Sequence, residues 1–247
     1  MRGAWSLVLL LGCGRFGIDP LLDAADPVPG DVPIDSAPVA CAIDGDPCDD
    51  QNICTPTSSC SAGTCIGDPP LTCTVARSES EYDSTQGAGG WFYGFWNVTD
   101  DPNGTYEAAT ELEELAWLGS TWRPPTWQPE PDAEFTWTYL APWGGHPGTY
   151  PRITYPIRRW VADVSGHASA VIHMNKADLN GGDGTRAILV VDGIERFRRD
   201  VDAMDGVGFT EAIPIELSIG STVDLILDAR ADDGTDTTTM SMNIESR

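Results

Sequence analysis

Six cysteines fall within the thirty-three residues from Cys41 to Cys73, and the chain from Thr74 to Arg247 has none. That clustering limits the fold more than any other feature of the sequence. Thirty-three residues cannot build a self-sufficient hydrophobic core, so covalent staples must hold the segment. In an exported chain Cys41, Cys48, Cys54, Cys60, Cys65 and Cys73 imply three disulfides, with fifteen pairings open. Gly45, Gly63 and Gly67 supply turns between short ribbons. Zinc is the rival reading, but zinc motifs favour closer cysteine pairs and histidine ligands, and no histidine lies between Cys41 and Cys73. Asp46, Asp49 and Asp50 are expected to be solvated turn charges rather than calcium ligands.

The seventh cysteine has a different explanation. Met1-Arg2 gives a positive start, Ala4 to Leu11 is apolar, and Gly12-Cys13 follows. This is signal-peptide logic over residues 1–12. Leu10-Leu11-Gly12-Cys13 resembles the lipobox of bacterial lipoproteins. The resemblance implies that Cys13 becomes the lipidated first residue of the mature chain, anchored by more than one acyl chain. Gly14, rather than Asp, implies the outer membrane in such lipoproteins. Ordinary secretion, with Cys13 removed or idle, is the alternative. Residues 13–40 then form a tether: five Asp and five Pro lie between Asp19 and Pro38, with no Lys or Arg. Such composition stays extended and cannot bury enough surface to fold. The stapled module at 41–73 resembles the short cysteine-rich repeats common in surface proteins of myxobacteria and their relatives.

Charge excludes two classes of partner. The chain carries 38 acidic and 14 basic residues, a formal charge of −24. Phosphate backbones and anionic headgroups would be repelled, so neither nucleic acid nor electrostatic membrane docking fits. Contact with a membrane is expected through the lipid anchor only. The apolar run at Leu7 to Leu11 is too short to span a bilayer.

Residues 74–247 read as strands with turn punctuation, an antiparallel β-sandwich of the jelly-roll class. Ile153 to Val161 is β-rich. Ala168, Ala170, Ile172 and Met174 alternate onto one face, as do Met240, Met242 and Ile244. Ala187 to Val191 and Ile194 to Val201 flank Asp192-Gly193, which suits a type I′ hairpin turn. Ala212 to Ile219 and Thr222 to Asp228 flank Gly220-Ser221 as a second hairpin candidate, with Val223, Leu225 and Leu227 sharing a face. Trp91 to Trp96 and Phe135 to Leu140 add aromatic strands, and Trp160 is expected to pack inward. Only Glu107 to Leu118 has helical spacing, through Ala108, Leu112, Leu115 and Ala116.

A series of landmarks runs through this domain: Thr85-Gln86-Gly87, Trp91-Phe92-Tyr93, His146-Pro147, Arg158-Arg159-Trp160, Gly166, Gly181-Gly182-Asp183-Gly184, Gly220 to Asp224 and Asp236-Thr237-Thr238. Their order resembles a galactose-binding-like or carbohydrate-binding-module jelly roll, over Ser84 to Ile244. The resemblance implies a non-catalytic domain. The stretch from Asp100 to Pro131 departs from the pattern.

Candidate site residues follow from chemistry. A flat Trp or Tyr ring covers the apolar face of a pyranose and keeps a polar handle. Most tryptophans of a sandwich fill its core, so those in loops are the better candidates: Trp122 and Trp127 around Pro124-Pro125, and Trp143 before Gly144-Gly145. His146 and Tyr150 share that region as possible ligand contacts. Asp178, Asn180, Asp183, Asp233 and Asp236 offer hard oxygens for a structural calcium, although Gly181-Gly182-Asp183-Gly184 is better read as a plain turn. Arg158 and Arg159 lie on opposite faces of a strand; one could clamp a carboxylate of an acidic glycan through its bidentate fork, but pairing with this chain's own acids is the expectation. His167 and His173, six residues apart in one strand, are about 20 Å apart and cannot share a metal. No nucleophile, zinc-protease, P-loop or dinucleotide motif appears in a suitable context. With so many acids, a glycosidase-like carboxylate pair carries no information. The expectation is a non-catalytic surface lipoprotein that binds a polysaccharide or surface glycan. A structural or protein-docking lipoprotein is the alternative, and a glycan-active hydrolase stands behind both.

Overall fold

The computed structural model describes residues 41–50, 54–55, 57–67, 73–127 and 137–246. The signal-like segment, Cys13, the tether and the start of the Phe135 to Leu140 strand lie outside the described residues. Among the described residues there is no α-helix, and no helix long and apolar enough to cross a membrane.

The stapled module is a small antiparallel sheet of β1 (Pro47–Cys48), β2 (Ser58–Ser61) and β3 (Thr64–Gly67), in the order β1-β2-β3. Its bridges are Cys41–Cys60, Cys48–Cys65 and Cys54–Cys73. Of the fifteen pairings this is the interlaced one, first to fourth, second to fifth and third to sixth.

The rest is an antiparallel sandwich. Its strands are β4 (Thr74–Arg77), β5 (Trp91–Asn97), β6 (Glu113–Glu114), β7 (Ala116–Trp117), β8 (Trp122–Arg123), β9 (Tyr139–Ala141), β10 (Gly144–His146), β11 (Thr154–Val161), β12 (Gly166–Lys176), β13 (Thr185–Val191), β14 (Ile194–Val201), β15 (Phe209–Leu217), β16 (Thr222–Asp228) and β17 (Thr238–Ser246). One sheet runs β15-β12-β17-β10-β9-β8-β7, with β4 also on β17, and the other runs β14-β13-β16-β11-β5-β6. Period-2 alternation fixes the facing surfaces. Ala168, Ala170, Ile172, Met174, Met240, Met242 and Ile244 of the first sheet meet Trp91, Tyr93, Trp160, Leu189, Val223 and Leu225 of the second in one core.

Asp192 (φ 49) and Gly193 (φ 75) make the β13–β14 turn, as the Asp-Gly pair predicts. The second hairpin candidate is corrected. β15 pairs with β12, whereas β16 pairs with β11 and β13, so residues 218–221 carry the chain from one sheet to the other. β16 is buried along nearly its whole length, which suits a central strand rather than a partner for the edge strand β15. Edge strands β14 and β15 are linked across the open side of the sandwich by the ion pair Arg199–Glu211.

The helix expected at Glu107 to Leu118 is also corrected. One turn forms, with the Thr110 and Glu111 amides both donating to the Glu107 carbonyl at 3.0 Å, and then the chain extends into β6 and β7. Leu112 and Leu115, which a helix would place together, are drawn into different cores. Leu115 enters the sandwich. Leu112 joins Val98, Tyr106 and Ala108 over the outer face of the second sheet, against Trp96, Tyr155, Ile157, Ile188, Val190 and Ile226. Tertiary burial outweighs a preference of a few tenths of a kcal/mol per residue, about the size of ordinary helix propensities. This cover hides the outer face of β5, β11, β13 and β16 and stops short of the exposed edge strand β14.

Candidate functional site

The register of three short strands builds a row of rings. Trp122 pairs with Leu140, and both side chains point into the core. Their neighbours Arg123 and Tyr139 therefore point outward, side by side. His146 pairs with Tyr139 and continues the row onto β10. The Arg123 guanidinium lies between two rings, 4.3 Å from the Trp127 centroid and 4.8 Å from that of Tyr139. Tyr139 stacks on His146 at 6.0 Å and 21°. Trp137, two residues before Tyr139, reaches the same imidazole at 6.1 Å. Trp143 meets Tyr139 edge-on at 6.4 Å. The outer rings face water, Trp137 at 59% exposure and Trp143 at 45%.

Close backbone approach holds this row flat. A Cβ on Gly144 would sit 2.0 Å from the Thr238 carbonyl oxygen of β17, so only glycine fits. From within the core, the buried Arg158 guanidinium donates to the carbonyls of Ser78, Ala141, Pro142 and Gly144. It thereby pins the β9–β10 turn that carries Trp143. Arg159, on the opposite face, makes a bidentate pair with buried Asp224 at 2.7 and 2.8 Å, joined by the Tyr106 hydroxyl. Only Arg159 thus meets the expectation of an acidic partner.

Trp137, Tyr139 and His146 line a cleft of about 400 Å³ together with Asp178, Thr237 and a wall formed by Asp233, Gly234 and Thr235. Asp233 is fixed by Thr149, which donates its amide at 2.9 Å and its hydroxyl at 2.6 Å. Asp178 Oδ1 accepts the amide and the side-chain nitrogen of Asn180 at 3.0 and 2.7 Å. The wall is held from behind by Lys176, whose fully buried ammonium donates to the Thr235 carbonyl at 2.6 Å and to Asp236 Oδ1 at 2.5 Å. Burial pushes the Asp236 carboxyl up to about 6, against the opposing pull of Lys176. Burial also holds the His146 imidazole below the usual histidine range, opposed by its hydrogen bond to the Pro147 carbonyl and by Asp233.

The structure thus gathers His146, Asp178 and Asp233 from the residues singled out by sequence, with Trp143 and Trp127 beside them. It removes Trp122, which is 3% exposed, stacked on Tyr93 at 5.1 Å and buried by its place on β8. Tyr150 is 72% exposed but does not line the cleft. The residues expected to take calcium do not converge as a set: among the described residues, no three His, Cys, Asp or Glu side chains are placed to hold a metal ion. Asp183 Oδ2 accepts the Ala231 amide, and Asp236 is engaged by Lys176. Trp137 and Tyr139 were missed by sequence reasoning. Their alternation in Trp137-Thr138-Tyr139 was the available signal, since it sets both rings on one face and buries Thr138 on the other.

No protein-family model matches the chain, and no curated protein matches it. Among solved structures the chain is similar to a carbohydrate-binding module, CBM36, in complex with calcium and xylotriose. That similarity has 15% identity and a TM-score of 0.21, and covers 41% of this chain and 86% of that one.

Proposed function

We propose that this chain is a surface-anchored, non-catalytic lipoprotein whose sandwich binds a polysaccharide or surface glycan in the cleft between Trp137 and Asp233. In this reading residues 1–12 are the signal, Cys13 carries the lipid in the outer membrane, and residues 13–40 space the folded parts from the bilayer. The stapled module at 41–73 is a rigid step between tether and sandwich, which occupies 74–247.

The observation that carries the reading is the exposed Trp137 ring set beside Tyr139 and His146, in one cleft with fixed carboxylates and hydroxyls. Apolar ring faces with a few placed polar groups are what a sugar requires. Binding rather than hydrolysis is favoured because both oxygens of Asp233 are held by Thr149, which makes it a fixed acceptor rather than a mobile proton carrier. A protein-docking role has one supporting observation: Leu179, Met204 and Val207 are exposed on loops near Asp178.

A glycan array probed with the mature chain tests the proposal. Binding to at least one glycan family, lost in Trp137→Ala while the fold persists, is the expected result. Silence across diverse glycans transfers the function to protein docking, and release of new reducing ends would make the protein an enzyme. Cys13→Ser tests the anchor: a variant that still partitions with membranes removes the lipid from the account.

A further inference from the structure

We propose that the cleft selects glycans bearing a cationic amine, that is free amino sugars, over neutral or acidic ones. This rests on the glycan-binding reading and names its ligand class.

The inventory of charges lining the cleft is one-sided. Among the described residues its ionisable lining groups are Tyr139, His146, Asp178 and Asp233, with no Lys or Arg. Each nearby cation is withheld. Arg123 lies on the side of Tyr139 away from His146, sandwiched by Trp127. Lys176 is fully buried and satisfied by Asp236 and the Thr235 carbonyl. Burial favours the neutral form of the His146 ring, and its Nδ1 is bonded to the Pro147 carbonyl.

Two acceptors are left to a ligand. Oδ2 of Asp178 meets no protein donor among the described residues, since Asn180 takes only Oδ1. Each oxygen of Asp233 accepts one bond from Thr149 and retains a second lone pair. A neutral sugar covering these carboxylates would strip their water and return only hydroxyl bonds. A uronate or sulfate would be repelled outright. An ammonium restores a charge-assisted bond to the carboxylate and is attracted to the exposed ring face of Trp137. The formal charge of −24 raises the local concentration of such a ligand before contact.

The test compares oligomers of β-1,4-linked glucosamine with fully N-acetylated oligomers of the same length, and with a uronate oligomer. The mature chain is used near pH 6, in about 150 mM salt to screen long-range attraction. The free amine is expected to bind at least about tenfold more tightly, the scale of one hydrogen bond to a charged group. Asp178→Asn should erase that preference, Trp137→Ala should abolish binding, and Asp200→Asn, at the exposed β14 edge, should change neither. Equal or tighter binding of the acetylated or uronate oligomer overturns the amine preference and leaves the glycan reading standing. Amine binding that survives both cleft variants and disappears with added salt is plain attraction to an acidic chain, and also overturns it. Polylysine bound as tightly, with the same dependence on Trp137 and Asp178, would assign the site to protein lysines. No binding to any oligomer here or on the array removes the glycan reading itself.

Discussion

Lys176 places its ammonium nitrogen 2.5 Å from Asp236 Oδ1, and both side chains are fully buried. Lys176 is the chain's only lysine, and its second bond, to the Thr235 carbonyl, fixes the loop that forms one wall of the cleft. Removing one member of a buried pair leaves the other charge uncompensated, at a cost of about 3–5 kcal/mol. Lys176→Met should therefore lower the melting midpoint sharply and weaken ligand binding. The double variant Lys176→Met/Asp236→Leu, which removes both charges, should recover much of the loss in urea melts. Because an ammonium holds this loop, a chelator should leave the wild-type midpoint unchanged. A fall on adding chelator would mean that a metal ion shares the task.

Two buried groups give stability opposite pH dependences. His146 has a folded-state pKa held below its unfolded value, near 6.5. Its contribution is present above that value and is lost as pH falls through the window beneath it. Asp236 is raised to about 6, so between about pH 6 and 4 the folded state holds the proton more tightly than the unfolded chain. Its contribution therefore grows on acidification. Urea melts between pH 7 and pH 4 should show wild type losing ground to His146→Gln as pH falls, and gaining ground on Asp236→Asn. The same slope for both comparisons would contradict these assignments.

Trp122 on β8 and Trp137, two residues before β9, should separate stability from binding. Trp122 is 3% exposed and donates its indole N–H to the Asp83 carbonyl at 3.0 Å. Trp122→Ala should cost about 3–5 kcal/mol, the usual penalty for deleting a buried large aromatic. Trp137 is 59% exposed, so Trp137→Ala should stay within about 0.5 kcal/mol of wild type while abolishing glycan capture. Paired denaturation and pull-down measurements on the two variants check both halves.

Those tryptophans also show what the sequence could reveal. Strands were legible wherever one face meets the core and the other meets water, as in Ala168 to Met174 and Met240 to Ile244. The Asp192-Gly193 turn was legible because its φ requirement is local. Trp122 looked like a loop residue because Pro124-Pro125 follows it, and nothing local shows that β9 lies alongside to bury it. The segment from Val98 to Leu112 was illegible for the same reason: its apolar residues answer to β13 and β16, far along the chain. Lys176 gave no signal, because a lysine ending a strand is ordinarily exposed. The cleft combines both situations. Asp178, Asp233 and His146 stand out chemically, but their meeting depends on sheet order.

The stapled module and the sandwich should respond differently to reductant. The three bridges span 17 to 19 residues each and supply what the segment lacks in apolar core. The sandwich contains no cysteine after Cys73 and a large buried cluster of its own. Where they join, the Cys73 amide donates to Ser246 Oγ at 3.1 Å and the Ser246 amide donates to the Cys73 carbonyl at 2.9 Å. Reductant should therefore open residues 41–73 to protease while the near-ultraviolet signal of the buried tryptophans, and glycan capture with it, persists. Breaking the bridge nearest the junction with Cys54→Ser/Cys73→Ser should cost the module about 2–5 kcal/mol, as for other small stapled domains. If the sandwich signal instead collapses together with the module, the two are one cooperative unit, and the module is structural support for the cleft rather than a spacer.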